Sequence, residues 1–428
     1  MTTERFKAAF LTLALAGSAL AFTSNAQAQT ETVLYSFSGA GGGQFPLGGL
    51  VLDAAGNLYG TTANGGNASC PAGCGTVFKL SPTASGQWKK TVLHYFSGTD
   101  GSFPDTKMIF DAAGNLYGTT LFGGGNNGCP GNEGCGVVFK LTPTASGVWK
   151  ETLLYQFVGG FTGGNPSGLV FDAAGNLYGT ATQGGDSNDC PQSISQGGCG
   201  IVFELMPRAF GYWTEKRLFL FHGPGDGGAP EGGVVFDAAG NLYLTAVLGG
   251  VGCAPYGCGV ALELSPTASG PWKETTLHQF TGGADGGFVS PGLALDASGN
   301  VFGTTSSDGA NGFGTIFEIS PTSSGWALST ILNLDDSLNG NIPQPLIFDP
   351  AGNLHVENAA GGSTNCGTVF ELSPSSSGWQ ESGLFTFDCT DGGEDPDGGL
   401  TLDANGNLYG ITGNGGAAGT GVVFRINP

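Results

Sequence analysis

Short apolar runs separated by polar, glycine-rich breaks recur along the chain, and beyond the N-terminal apolar stretch no segment sustains helical periodicity. Four kinds of run follow one another in fixed order. The first is a short piece such as Gly168-Leu169-Val170-Phe171, and the second is an Asn-Leu-Tyr-Gly-Thr-Thr stretch. The third reads Gly75-Thr76-Val77-Phe78-Lys79-Leu80 and stops at Ser-Pro or Thr-Pro. The fourth opens on a tryptophan, as in Trp149-Lys150-Glu151-Thr152-Leu153-Leu154-Tyr155-Gln156-Phe157. All four have strand length, and the hairpin between the first two is written in its residues. In Asp-Ala-Ala-Gly-Asn the Asp side chain can accept hydrogen bonds from downstream N–H groups, while Gly and Asn tolerate positive φ.

The hairpin Asp recurs at Asp53, Asp111, Asp172, Asp237, Asp296, Asp349 and Asp403. Seven copies about 58 residues apart suit four-stranded blades with generous loops. The expected fold is therefore all-β, a single seven-bladed β-propeller with four antiparallel strands per blade. Trp88, Trp149, Trp213, Trp272, Trp326 and Trp379 open the fourth strand of six units, but the seventh stops after its third strand, Gly421-Val422-Val423-Phe424-Arg425-Ile426. The segment Glu31 to Phe37 aligns with Lys90 to Phe96, so the N-terminal strand should complete the last blade and remove the free edges of an open array. Phe37, Phe96, Phe157, Phe221, Phe280, Leu334 and Phe387 share one position, two residues beyond a mostly aromatic one. Both should face the same side of the pleat and pack between neighbouring blades.

The repeat Asp-Ala-Ala-Gly-Asn-Leu-Tyr-Gly-Thr-Thr, then Gly-Gly, then Gly-Thr-Val-Phe-Lys-Leu, as in Asp53 to Leu80, resembles the GloVer tandem repeat of choice-of-anchor bacterial surface proteins. The resemblance covers essentially the whole chain after the leader. It implies an exported, propeller-like protein, often with a C-terminal sorting or anchoring tail, and it implies no catalytic residues. Here Asn427-Pro428 follow directly on a strand, a departure from that pattern that argues against the attached state.

The N-terminus points to the same compartment. Arg5 and Lys7 precede an apolar run from Ala8 to Phe22, and Ala26-Gln27-Ala28 offers a small-x-small cleavage pattern. Residues 1–28 read as a cleavable signal and 29–428 as the propeller. No cysteine follows the cleavage point and no second apolar stretch reaches membrane length, so a periplasmic or extracellular protein without a membrane span is expected. Charged residues make up only 11% of the chain, and 81 glycines serve its turns. Without Glu4, Arg5 and Lys7 the chain carries 11 basic and 33 acidic side chains. Such a surface repels phosphate backbones and anionic headgroups, which excludes nucleic acid as a partner and leaves cationic ligands open.

Ten cysteines in an exported chain predict disulfides. Cys70 with Cys74, Cys129 with Cys135, Cys190 with Cys199 and Cys253 with Cys258 sit in loops between second and third strands. Cys366 and Cys389 fall in two loops that emerge on one face of a propeller. Thiolate metal binding is the alternative, but pairs in separate blades lack a convergent four-ligand spacing.

The remaining candidate chemistry is sparse. Asp53 and its six counterparts repeat once per unit, which suits a turn rather than a site. Asp100, Asp226, Asp285 and Asp391 precede glycines in the inter-blade loops, where they serve as turn residues or, converging at the channel mouth, as calcium ligands. His94, His278 and His355 replace aromatic packing residues of other units. His222 alone lies in an inter-blade loop, near Asp226 and Glu231, and is the single acid–base candidate. No nucleophile elbow or phosphate-cradling loop is present. No cofactor is expected, with calcium the one candidate ion. The reading favoured is a monomeric, non-catalytic propeller that binds a partner protein or polysaccharide through its disulfide-braced face. Its rivals are a lyase or lactonase with a site at the channel mouth, and a purely structural envelope protein.

Overall fold

The computed structural model describes residues 30–427, apart from 126–127, 130–132, 186–189, 191–196, 269 and 391; the predicted signal at 1–28 and the terminal Pro428 lie outside the described residues. Seven antiparallel sheets follow one another along the chain, and among the described residues helix is confined to three-residue 3-10 turns. In the first blade, Val51–Leu52, Leu58–Thr62, Thr76–Pro82 and Trp88–Tyr95 run from the innermost to the outermost strand. In two blades the inner strand is broken, into Gly287–Val289 with Ala294–Leu295 and into Asn341–Pro343 with Ile347–Phe348.

The ring closes as the sequence predicts. The last blade combines Glu394–Leu402, Leu408–Asn414 and Val422–Ile426 with Glu31–Ser36 as its outer strand, in the register Glu31 to Ile426 and Val33 to Phe424. A side chain also fastens this seam. Lys90 donates to the Gly42 carbonyl and holds its ammonium 4.5 Å from the Phe37 ring centre, a cation–π contact between the first and last blades.

Each hairpin between first and second strands is built by one carboxylate. Asp53 Oδ1 accepts from the backbone N–H groups of Ala55 and Asn57, and Oδ2 accepts from Asn57 Nδ2 and the Tyr59 hydroxyl. The same backbone bonds recur at Asp111, Asp172, Asp237, Asp296, Asp349 and Asp403. His355 stands at the Tyr position, with Nε2 3.6 Å from Asp349 Oδ2.

The core lies between blades. Phe37, Phe96, Phe157, Phe221, Phe280, Leu334 and Phe387 are all buried. Phe37 meets Phe78 edge-on at 5.2 Å, Phe96 meets Phe139 at 5.2 Å, and Phe387 meets Phe424 at 5.1 Å, each pair bridging one blade to the next. Nearer the axis, neighbouring blades touch through glycine and proline. A Cβ on Gly75 would lie 2.5 Å from Pro104, and one on Gly421 would lie 2.6 Å from Pro46, so in six of the seven blades the glycine that opens the third strand leaves room for the next blade's inner strand.

Candidate functional site in the central channel

Antiparallel order places the second-to-third-strand loops and the inter-blade loops on one face. Disulfides join Cys70 to Cys74, Cys129 to Cys135, Cys190 to Cys199, Cys253 to Cys258 and Cys366 to Cys389, all on that face. Asp100, Asp226 and Asp285 take no part in lining the channel cavity. Asp100 Oδ1 accepts from the Ser97 N–H at 2.7 Å, Asp226 Oδ1 from the N–H groups of His222 and Gly223 at 3.0 Å each, and Asp285 Oδ2 from the Thr281 N–H at 3.0 Å. Loops this short orient the carboxylate back onto their own amides, which is the turn role of Asp. For Asp100 and Asp285, burial pushes the pKa up, but hydrogen bonds from His94 and Ser97, and from Thr281 and His278, outweigh it and hold both below the usual range. Asp391 lies outside the described residues.

The histidines divide as their positions suggest. His94 and His278 pack edge-on against Phe96 and Phe280 at 4.7 and 4.9 Å, as Tyr155 does against Phe157, and bond Asp100 and Asp285. His222, paired through Nδ1 with Asp226 Oδ2 at 2.9 Å, has a side chain 55% exposed and takes no part in lining the channel cavity.

The channel itself is a cavity of about 990 Å³ lined by the inner strands of all seven blades. One position, directly after the proline or valine of each inner strand, contributes a side chain per blade: Leu47, Asp105, Ser167, Glu231, Ser290, Gln344 and Asp397. This ring is where the sevenfold repeat gives way to individual chemistry. Burial raises Asp105 to about 7, helped by repulsion from Asp397 and Glu231, and it raises Asp397 to about 6, helped by Asp395. Burial also pushes Glu231 upward.

Two further residues depart from the repeat. Lys107 occupies the place of Gly49, Gly233, Gly292 and Gly399, and Glu357 that of Thr61, Thr119, Thr180, Thr245 and Thr304. Lys107 donates to the Leu400 carbonyl at 3.2 Å, and Glu357 Oε1 accepts from the Gly399 N–H at 2.8 Å. Protein packed around the channel wall brings the Lys107 ammonium down to about 8, although Glu357 pulls the other way. Full burial, with Asp397 adding repulsion, holds Glu357 well above the carboxylate range. Asp105 Oδ1, Asn165 Oδ1 and Glu357 Oε2 find no hydrogen-bond partner. The sequence reading gave no role to Asp105, Lys107, Glu357 or Asp397, and named Glu231 only as a neighbour of His222. A signal existed, because each stands where other units carry a small or neutral residue.

The mouth of the channel is strained and braced. The residue preceding the ring position by two, Phe45, Phe103, Asn165, Ala229, Phe288, Ile342 or Asp395, has φ between 51° and 57° in every blade. Left-handed backbone costs a non-glycine residue about 1 to 2 kcal/mol. The disulfide loops supply restraint: the N–H groups of Phe103, Asn165 and Ala229 donate to the carbonyls of Cys74, Cys135 and Cys199 at 3.0, 2.9 and 2.8 Å.

The sequence matches the Gloeobacter/Verrucomicrobia repeat over residues 14–191 and again over 191–424. The chain belongs to this repeat family. No curated protein matches this Gloeobacter/Verrucomicrobia repeat protein significantly. Among solved structures, the family member is similar to the extracellular domain of a one-component system from B. thetaiotaomicron, with 12% identity and a TM-score of 0.52 over 93% of this chain and 41% of that one. It is also similar to PorZ, a bacterial surface component of the type-IX secretion system of Porphyromonas gingivalis, with 15% identity and a TM-score of 0.52 over 92% and 47%. A gluconolactonase from Xanthomonas campestris is more distant, at 12% identity and a TM-score of 0.43 over 94% and 90%. The chain spans under half the length of the first two, and at these identities the likeness is one of fold. Among the described residues no helix is long and apolar enough to cross a membrane, and five disulfides fit an exported protein.

Proposed function

We propose that this repeat protein is an exported binding propeller that seats a partner protein on its disulfide-braced face, beside the mouth of the channel. The distribution of exposed apolar side chains carries this reading. Phe161, Tyr256, Phe288, Phe313, Leu338 and Ile342 are all exposed on that face, in blades three to six and the loops that lead into them. Among the described residues the turns of the opposite face expose only Val148, Phe210 and Tyr212. A gathered set of exposed aromatic and aliphatic side chains on an otherwise polar surface is the composition of an interface centre. The left-handed residues and the disulfides keep that surface preorganised, which lowers the entropy lost on binding.

A polysaccharide would stack on the rings but gain little from Leu338 and Ile342, so the mixed patch favours protein. The enzymatic reading placed its site at the channel mouth, with calcium or His222, and of these His222 takes no part in lining the channel cavity. The test is photocrosslinking from Tyr256 of the purified mature protein against its own cell-envelope fraction, beside a glycan array. One captured protein, lost in Phe288→Ala/Leu338→Ala, is expected, together with a blank array. A specific glycan signal sensitive to the same substitutions would transfer the reading to a polysaccharide.

A further inference from the structure

The sixth blade changes one residue of the network that the repeat builds at its hairpins, on the face opposite the disulfides. In five blades a second-strand tyrosine, Tyr59, Tyr117, Tyr178, Tyr243 or Tyr409, donates its hydroxyl to the hairpin aspartate at 2.9 to 3.3 Å. In the third blade that hydroxyl serves two carboxylates, because Glu204 Oε1 of the third strand lies 3.0 Å from it. The sixth blade keeps both acids, as Asp349 and Glu371, and sets His355 against them.

The imidazole does not settle as the phenol does. Its side chain is only 5% exposed, yet among the described residues neither ring nitrogen makes a hydrogen bond. Nδ1 has no partner, and Nε2 stops 3.6 Å from Asp349 Oδ2 and 3.9 Å from Glu371 Oε2. Buried polar groups in folded proteins are almost always hydrogen-bonded. The other three histidines close on their aspartates at 3.2, 2.9 and 2.9 Å, as a proton between nitrogen and oxygen requires. His355 holds its two carboxylates across a wider gap. Two metal–ligand bonds of about 2.0 to 2.2 Å meeting at a bent angle span roughly 3.3 to 4 Å, which matches that gap.

The carboxylates are already oriented. Asn353 Nδ2 donates to Asp349 Oδ2 at 2.8 Å and Ser373 Oγ to Glu371 Oε1 at 2.6 Å, the kind of outer support that fixes ligating side chains. One ligand atom from each of Asp349, His355 and Glu371 lies within 4.8 Å of the other two. Both acids are partly exposed, which gives an ion a way in and water for its remaining positions.

We propose that Asp349, His355 and Glu371 bind a divalent transition ion of the zinc class on the face opposite the disulfides. One imidazole with two carboxylates suits such an ion, whereas calcium and magnesium take oxygen ligands. The ion ties the hairpin to the second and third strands of the sixth blade. No other blade repeats the site, since the other six carry tyrosine or phenylalanine at the histidine position. The site is independent of the partner surface, which lies on the other face.

The test uses the mature protein stripped with EDTA and dialysed. Calorimetric titration with ZnCl2 is expected to show one tight equivalent per chain, and the melting temperature should rise with ZnCl2, as for any ligand that binds only the folded state. His355→Tyr restores the residue of the other blades and should lose that equivalent and the melting shift, while melting no lower than the stripped wild type. Glu371→Gln should lose both as well, which covers a first variant that fails to fold. His94→Tyr removes the other histidine that meets two carboxylates, on the disulfide face, and should titrate as the wild type does. A wild-type titration without heat or melting shift at submillimolar ZnCl2 overturns the proposal. Undiminished zinc binding in His355→Tyr or Glu371→Gln overturns the location, as does loss of binding in His94→Tyr, and equally tight binding of CaCl2 overturns the class of ion. Partner capture repeated in EDTA is read separately, so failure of one reading does not decide the other.

Discussion

Lys107 and Glu357, from the second and sixth blades, bond adjacent residues of the seventh: Lys107 reaches the Leu400 carbonyl and Glu357 accepts from the Gly399 N–H. The other units carry glycine or proline at the first of these positions and threonine or isoleucine at the second, so neither side-chain contact can recur there. The pair ties three blades together across the channel wall. Removing the ammonium alone leaves Glu357 buried with less compensation. Lys107→Met and Glu357→Gln should therefore be non-additive, with a coupling of about 0.5 to 3 kcal/mol in urea unfolding. Additive losses would show that the two residues act independently.

Closure through the N-terminal strand should be visible in stability. Deleting residues 29–37 exposes the edge of Val422–Ile426 and removes Phe37 from its contact with Phe78. Phe37→Ala alone is expected to cost about 3 to 5 kcal/mol. The deletion should lower the melting temperature further, and an equal melting curve would contradict the observed seam.

The glycine that opens the third strand is required by the next blade in six of the seven units. Gly75→Ala puts a methyl group 2.5 Å from Pro104 on a backbone with φ of 92°. Overpacking of this kind costs about 1 to 3 kcal/mol, and the left-handed strain adds to it. Gly56→Ala has the strain without the clash, since nothing lies within 4 Å of its added Cβ. Denaturant midpoints of the two variants should separate these contributions, with Gly75→Ala the less stable.

Two glutamates outside the channel predict the pH response. Burial, with Asp388 nearby, raises Glu31 to about 7, and burial, with Asp100 adding repulsion against the pull of His94, raises Glu151 to about 7. In the unfolded chain both titrate near their ordinary 4.5. Between these values the native state holds protons that the unfolded state has released. Their contribution to stability is fully present below pH 4.5 and is lost as pH rises through about 7. The melting temperature should fall from about pH 5 to about pH 8, and Glu31→Gln/Glu151→Gln should flatten that slope.

Reduction should act on the channel mouth before the sheets. The N–H groups of Phe103, Asn165 and Ala229 depend on carbonyls of Cys74, Cys135 and Cys199, so opening those loops releases the residues held at positive φ. Hydrogen exchange after mild reduction should accelerate at these three amides, while those of Leu58–Thr62 and its counterparts stay protected. The loop closed by Cys366 and Cys389 should lose most stability, about 3 kcal/mol on the chain-entropy account.

The chain's own order determined the number of blades, the four strands in each, the hairpin Asp, the closing N-terminal strand and the loops that carry cysteines. All of these are local patterns or repeats of one, so a period of strand and turn signals is enough to read them. Only the tertiary structure decided where the chemistry sits. Asp105, Glu231 and Asp397 are scattered over nearly three hundred residues and line one cavity because a closed ring points one position of every inner strand at a common axis. Asp100, Asp226 and Asp285 offered the more familiar motif, yet each is satisfied by amides a few residues away, and the short loop turns it from the axis. A repeat fixes what its units share, whereas the site lies in the departures, Lys107 for glycine and Glu357 for threonine, whose meaning depends on which blades face one another across the channel.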